Sequence, residues 1–164
     1  IPADVEVESN VKDILGTLVT DSNGAIDVKR DERGVVITVA DKYFFESGSA
    51  GLKENSREVL DKIASALLKH PNMIRIEGHT DNIPIRNQAF PSNWELSTTR
   101  ATEMIRLLIT QYGMVAEGLS AAGYGEFHPV STNSTPEGRA QNRRLDVVVL
   151  TPYQPASPDA ENFK

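Results

Sequence analysis

Asp81 and Arg100 are the residues of this chain whose surroundings most invite a chemical role. Arg100 lies four residues after Leu96 and four before Met104, so it shares a helical row with apolar side chains and projects at the edge of a buried stripe. A guanidinium there must stay wet or find an anion, because burying it alone costs several kcal/mol. It can snorkel, pair with an internal carboxylate such as Glu103 or Asp81, or accept a ligand carboxylate on its planar fork. Asp81 follows the strand pattern Met73 to Gly78, within Gly78-His79-Thr80-Asp81-Asn82. Ligands of sheets with helical crossovers collect beyond the carboxyl ends of strands. The same aspartate can simply close an Asx turn. Together the two charges suit a zwitterionic ligand, ammonium on Asp81 and carboxylate on Arg100. They equally describe an internal salt bridge, and spacing does not separate the two.

Other chemistries find less support. His70, His79 and His128 are scattered, with no HExxH pattern, so no metal site is expected. Ser47 and Ser49 lie in a small-residue loop without the GxSxG elbow of a serine hydrolase. Gly123-Tyr124-Gly125 opens no helix and is not a nucleotide fingerprint, so no cofactor is expected. A glycosidase needs two carboxylates about 5 to 10 Å apart. Only Asp81 is clearly placed, with Glu46 a distant second, and a non-enzymatic role is expected. Arg139, Arg143 and Arg144 form a basic cluster that is either a solvated face or a contact for phosphate or carboxylate.

The elements that must position these residues are readable in outline. Ala25–Lys29, the turn Asp31-Glu32-Arg33-Gly34 and the β-branched run Val35–Val39 predict a hairpin with a central second arm. Val59, Leu60, Ile63, Ala64, Leu67 and Leu68 predict a helix over Asn55–Lys69, closed by Pro71. Ser92 with Glu95 three residues later is a capping box, and the helix it opens ends before Gly113. Leu119–Ala122 reads as a third strand, Thr135–Arg143 as a short helix and Leu145–Leu150 as a last strand. Strands alternating with helices predict an α+β, two-layer domain, a mixed β-sheet with helices packed on one face. It is expected over residues 25–150. Residues 1–24 are expected to be a linker with one short amphipathic helix, its stripe formed by Val11, Ile14, Leu15, Leu18 and Val19. The proline-rich tail, residues 151–164, is expected to be disordered.

Bulk properties narrow the field. The chain has 164 residues, enough for one domain with a full core. A net charge of -6 with no basic run argues against nucleic acid as a partner. With no cysteine there is no disulfide scaffold and no thiolate metal site. No apolar stretch reaches the roughly 18 to 20 residues that cross a bilayer. The chain begins at Ile1 and is read as a processed chain or an expressed fragment.

Several blocks resemble a known family when taken in order: Phe44-Phe45-Glu46-Ser47-Gly48-Ser49-Ala50, Gly78-His79-Thr80-Asp81-Asn82, Asn93-Trp94-Glu95-Leu96-Ser97, Arg100-Ala101, Gly123-Tyr124-Gly125, and Gly138-Arg139 through Asn142-Arg143-Arg144. They resemble the OmpA-like peptidoglycan-binding domain over about Val35 to Leu150. The long loop between Asp81 and Asn93 is similar to that of the MotB-type stator subunits of the flagellar motor, more than to porin or lipoprotein members. The resemblance implies that Asp81 and Arg100 bind the diaminopimelate part of the peptide stem or the adjacent amino sugar. It implies that Asn93 lines the cleft, that Arg143 lies near the ligand carboxylate, and that Phe45 and Ser47 form one wall. Ser47-Gly48 departs from the Asp-Thr or Asp-Ser pair common there. It further implies a periplasmic, homodimeric anchor of a stator held in the inner membrane, beside a membrane-embedded partner subunit. An outer-membrane or lipoprotein anchor unrelated to motility is the alternative. Asp81→Asn and Arg100→Ala are expected to fold and to fail as anchors.

Overall fold

Alternation along the strands decides which way the sheet faces. The computed structural model describes residues 3–152. Its strands are β1 (Ile26–Asp31), β2 (Gly34–Ala40), β3 (Ile74–His79), β4 (Leu119–Gly123) and β5 (Arg144–Leu150). They form one mixed sheet in the order β1-β2-β5-β3-β4, in which only the β3–β4 pair is parallel. Ile37 stands opposite Val28 and Val147, and Val147 opposite Ile76, so one row of apolar side chains crosses four strands on one face. Burying each such side chain contributes roughly 1.5 to 3 kcal/mol. Thr38, Asp146 and Glu77 form the next row, on the opposite face.

Helices cover the apolar face. Chain order adds α1 (Ala3–Leu15), α2 (Thr17–Asp21), α3 (Arg57–Leu68), α4 (Asn93–Thr110) and α5 (Pro136–Asn142). The buried row Val7, Val11 and Leu15 of α1 joins the same core as Ile63 and Leu67 of α3 and Met104 and Leu108 of α4. The expected mixed sheet with helices on one face is therefore what forms. At the N-terminus the reading is corrected: two helices form instead of one. Gly16 turns the chain at φ +49 between them, and Leu18 and Val19 are only partly buried. Of the tail expected to be disordered, all but Thr151 and Pro152 lies outside the described residues. Among those residues no helix is long and apolar enough to cross a membrane.

Two glycines let α4 approach the sheet. Gly78 and Gly123 are paired across β3 and β4. A Cβ at Gly78 would collide with the Ser97 carbonyl, and one at Gly123 with the Thr98 backbone. This close approach brings the first two turns of α4 to the carboxyl ends of β3 and β4. Ser92 caps the helix by accepting from the Trp94 N–H at 3.2 Å, and its hydroxyl also meets the Glu95 carboxylate.

Candidate functional site

β2 and β3 both run antiparallel to β5, so their carboxyl ends and the start of β5 share one end of the sheet. Asp41 follows β2, Asp81 follows β3 and Arg143 precedes β5. Arg143 Nη1 donates to Asp81 Oδ2 at 2.7 Å, and Arg143 Nε lies 4.0 Å from Asp41 Oδ1. From α4, Arg100 Nη1 donates to Asp41 Oδ2 at 2.8 Å. The result is a chain of alternating charge, Arg100, Asp41, Arg143, Asp81. A cleft of about 570 Å³ opens over it.

Arg100 is only 4% exposed and is braced from three sides. Its Nε donates to the Ser49 carbonyl at 2.8 Å and its Nη2 to the Glu46 carbonyl at 3.2 Å. Its guanidinium lies 4.8 Å from the centre of the Phe45 ring, a cation–π contact. Gly48, at φ +67, turns the loop that supplies both carbonyls. Burial pushes the Arg100 guanidinium down and the Asp41 carboxyl up, each against the pull of the opposite charge beside it.

Asp81 does two things at once. Its Oδ1 accepts the Ile83 N–H at 3.0 Å, closing an Asx turn, and its Oδ2 takes Arg143. Asn93 Nδ2 donates to the Asp81 and Ile83 carbonyls at 3.3 and 3.1 Å, tying that turn to the start of α4. Ser47 is exposed on the rim. All six residues named from the sequence, Phe45, Ser47, Asp81, Asn93, Arg100 and Arg143, line this one cleft.

Of the alternatives left open for Arg100, an internal ion pair forms, though with a carboxylate not named from the sequence. Arg100 bonds neither Asp81 nor Glu103; its partner is Asp41, while Glu103 pairs with Arg106 at 2.9 Å. Asp41 was missed, although the rule that singled out Asp81 applies to it as well, since it directly follows a β-branched strand. Lys42 and Lys53 also line the cleft. Arg144 and Arg139 turn elsewhere: Arg144 Nη2 donates to the His128 carbonyl at 3.0 Å, and Arg139 Nη1 to the Asn133 carbonyl at 3.0 Å.

A second charged cluster occupies the sheet face away from α1, α3 and α4. Glu77, His79 and Asp146 place ligand-type atoms within 4.8 Å of one another, a grouping that histidine spacing in the sequence did not reveal. The Arg33 guanidinium lies against both carboxylates, where a cation would sit, and Arg75 Nε donates to Glu77 Oε2 at 2.7 Å. Burial pushes Glu77 up, but His79, Arg75 and Arg33 outweigh it and leave this carboxyl at about 2. Burial also holds His79 below its ordinary value, favouring the neutral ring.

A mixed sheet layered with helices, carrying a cleft of alternating charge at the carboxyl ends of β2 and β3, defines a class of small α+β binding domains. Residues 44–143 match the OmpA family, and the chain belongs to it. Motility protein B of Bacillus subtilis is 40% identical over 151 residues, covering 90% of this chain and 58% of that protein. The chain thus spans under two thirds of this relative. Among solved structures, the cell wall anchor of the T6SS from Pseudomonas aeruginosa superposes with a TM-score of 0.80 at 33% identity, covering 87% of this chain and 97% of that one. The periplasmic domain of Helicobacter pylori MotB gives 0.73 at 26% identity, covering 83% and 86%.

Proposed function

We propose that the cleft binds the zwitterionic end of a peptidoglycan stem peptide, non-covalently, and that the chain is the wall-gripping part of a flagellar motor stator. The observation that carries this reading is the alternation of two carboxylates and two guanidinia along one cleft. An amino acid end group carries both charges and can exchange with such a network without leaving either sign unpaired. Arg143 is the most accessible of the four, at 38% side-chain exposure, and is the natural first contact for a ligand carboxylate. Asp81 and Asp41 then receive the ammonium, while Asn93 and Phe45 hold the walls. Each carboxylate is already paired with an arginine, an arrangement suited to recognition and not to the acid–base pair of a hydrolase.

The extracytoplasmic location and the stator role rest on likeness to motility protein B and the MotB periplasmic domain. A homodimer and a membrane-embedded partner subunit belong to the same reading. The likeness to a T6SS wall anchor supports a second one, a wall anchor unrelated to motility. Motility of cells whose copy carries Asp81→Asn separates them: loss of swimming favours the stator. Co-sedimentation with purified sacculi tests what both share. Retention of the parent chain and its loss in Asp81→Asn is the expected result, and an unretained parent chain would overturn it.

A further inference from the structure

Beside the cleft, on the next residue of α4, the molecule exposes a ledge of aromatic rings. Trp94 is 49% exposed and Phe127 59% exposed, and the two stack with centroids 5.0 Å apart at 25°. The ledge is rigid. A Cβ at Gly125 would lie 3.5 Å from Trp94 and 3.6 Å from Phe127, so both rings rest on that glycine, which turns the chain at φ +58. The Gly125 N–H donates to Ser97 Oγ at 3.0 Å, and its carbonyl accepts the Thr80 N–H at 2.9 Å. The ledge is therefore fixed to the same turn and helix that carry Asp81 and Asn93.

Behind Phe127 opens a second hollow, of about 560 Å³, walled by Tyr124 and His128 and floored by the charged sheet face. Among the described residues, both nitrogens of His79 are buried there without a hydrogen-bond partner, Nε2 lying 3.8 Å from Asp146 Oδ2 and 3.9 Å from Glu77 Oε1, while Arg144 Nε faces Asp146 Oδ1 at 3.4 Å. Buried polar atoms without partners are costly and uncommon. Glu77 and Asp146 are set against Arg33 and Arg144, so the floor is close to charge-balanced. A charge-balanced floor that includes the unbonded His79 ring, bordered by the exposed ring of Phe127, suits a neutral polyhydroxyl ring. The C–H face of a pyranose lies on an aromatic ring while its hydroxyl and amide groups reach planar side chains.

We propose that Trp94 and Phe127, with the hollow behind them, form a carbohydrate subsite that holds the amino-sugar strand of the wall while the stem peptide occupies the cleft. The choice of this sugar source rests on the function proposed above; the sugar chemistry rests on the ledge and hollow alone. Consecutive residues at the start of α4 divide the work, Asn93 facing the peptide and Trp94 the sugar.

Trp94 is the only tryptophan of the chain, so its fluorescence reports on the ledge directly. The parent chain is titrated with chitotetraose, a linear β-1,4-linked N-acetylglucosamine tetramer without peptide, and separately with a free stem peptide bearing diaminopimelate. The expected result is a saturable change of Trp94 emission with the sugar, preserved in Asp81→Asn and weakened about fivefold in Phe127→Ala. No change at saturating sugar, or loss of the change in Asp81→Asn, overturns the subsite. So does an emission shift that follows protein concentration without sugar, because a second copy then covers the ledge. A stem peptide that fails to bind, with the sugar response intact, sinks the cleft reading and leaves the sugar subsite standing.

Discussion

Arg100 is held by more of the protein than ligand capture alone requires, and this changes what its removal tests. Its three hydrogen bonds satisfy one carboxylate and two loop carbonyls in a buried setting. Arg100→Ala is expected to cost about 3 to 5 kcal/mol, because the Ser49 and Glu46 carbonyls lose their donor and Asp41 keeps only Arg143, whose Nε is 4.0 Å away. A melt checks the expectation that Arg100→Ala folds normally, and loss of wall binding in that variant reports lost stability as well as lost recognition. Asp81→Asn is the cleaner probe. The amide oxygen still accepts the Ile83 N–H, and only the pair with half-exposed Arg143 is lost, at about 1 kcal/mol or less. Thermal melts of the two variants should differ accordingly, by several degrees or more for Arg100→Ala and little for Asp81→Asn. Asp81 and Arg100 were legible because each sits at a nameable place in a pattern. Their partners were not, since an ion pair is settled by which strand ends meet, and that follows from strand order. His79 supplies a test by pH. Its folded-state value lies below the ordinary 6.5, so as pH falls below about 6.5 the unfolded chain takes up the proton first. Its contribution to stability is present above that pH and declines as pH drops toward the folded value. Melting temperature should therefore fall less between pH 7 and 5 in His79→Gln than in the parent chain.

At the scale of elements, α4 is the piece on which the site depends, and glycine is what seats it. Gly78→Ala puts a methyl group into the Ser97 carbonyl, a backbone atom that can yield only if the helix moves. A loss of about 3 kcal/mol is expected, or roughly 6 to 12 °C in melting temperature, with a displaced Asn93 and weakened sacculus binding. An unchanged melt would show that α4 is not seated as tightly as these glycines indicate. α4 was legible from its cap, stripe and terminal glycine because those signals are local. The strand pairings β2–β5 and β3–β5 were not, because hydrophobic alternation states which face is buried without naming the neighbour. The N-terminal helices show a different limit. Val11 and Leu15 announced an amphipathic helix, but that it completes the main core beside α3 is a tertiary fact. Leu15→Ala should consequently cost about 2 to 5 kcal/mol, as for any core leucine, and chemical denaturation would measure it.

Under the function proposed above, the molecule presents its charged cleft to a wall that repeats the ligand many times, and this sets how such an anchor works. A zwitterion held by a few charge-assisted bonds loses much of its gain to desolvation and ordering, so a single cleft binds modestly. A stator anchor of the proposed kind, holding against a load, therefore requires several clefts acting together. Joining two copies makes the second binding event intramolecular, at an effective concentration in the millimolar range for a short flexible linker. If one cleft has a Kd near about 10⁻⁴ M, a linked pair should be retained on sacculi about 10-fold or more better than the single chain. The effect belongs to the assembly and not to either site. A linked pair with Asp81→Asn in one arm should fall back to the retention of a single chain, although every contact in the intact arm is unchanged. Co-sedimentation of the single chain, the linked pair and the half-disabled pair measures all three. Equal retention of single and linked forms would mean either that one cleft already grips tightly or that the geometry forbids two from engaging at once. Release by excess free stem peptide distinguishes these, because a tight single cleft lets go only slowly, whereas a modest cleft whose second arm never reaches the wall releases promptly.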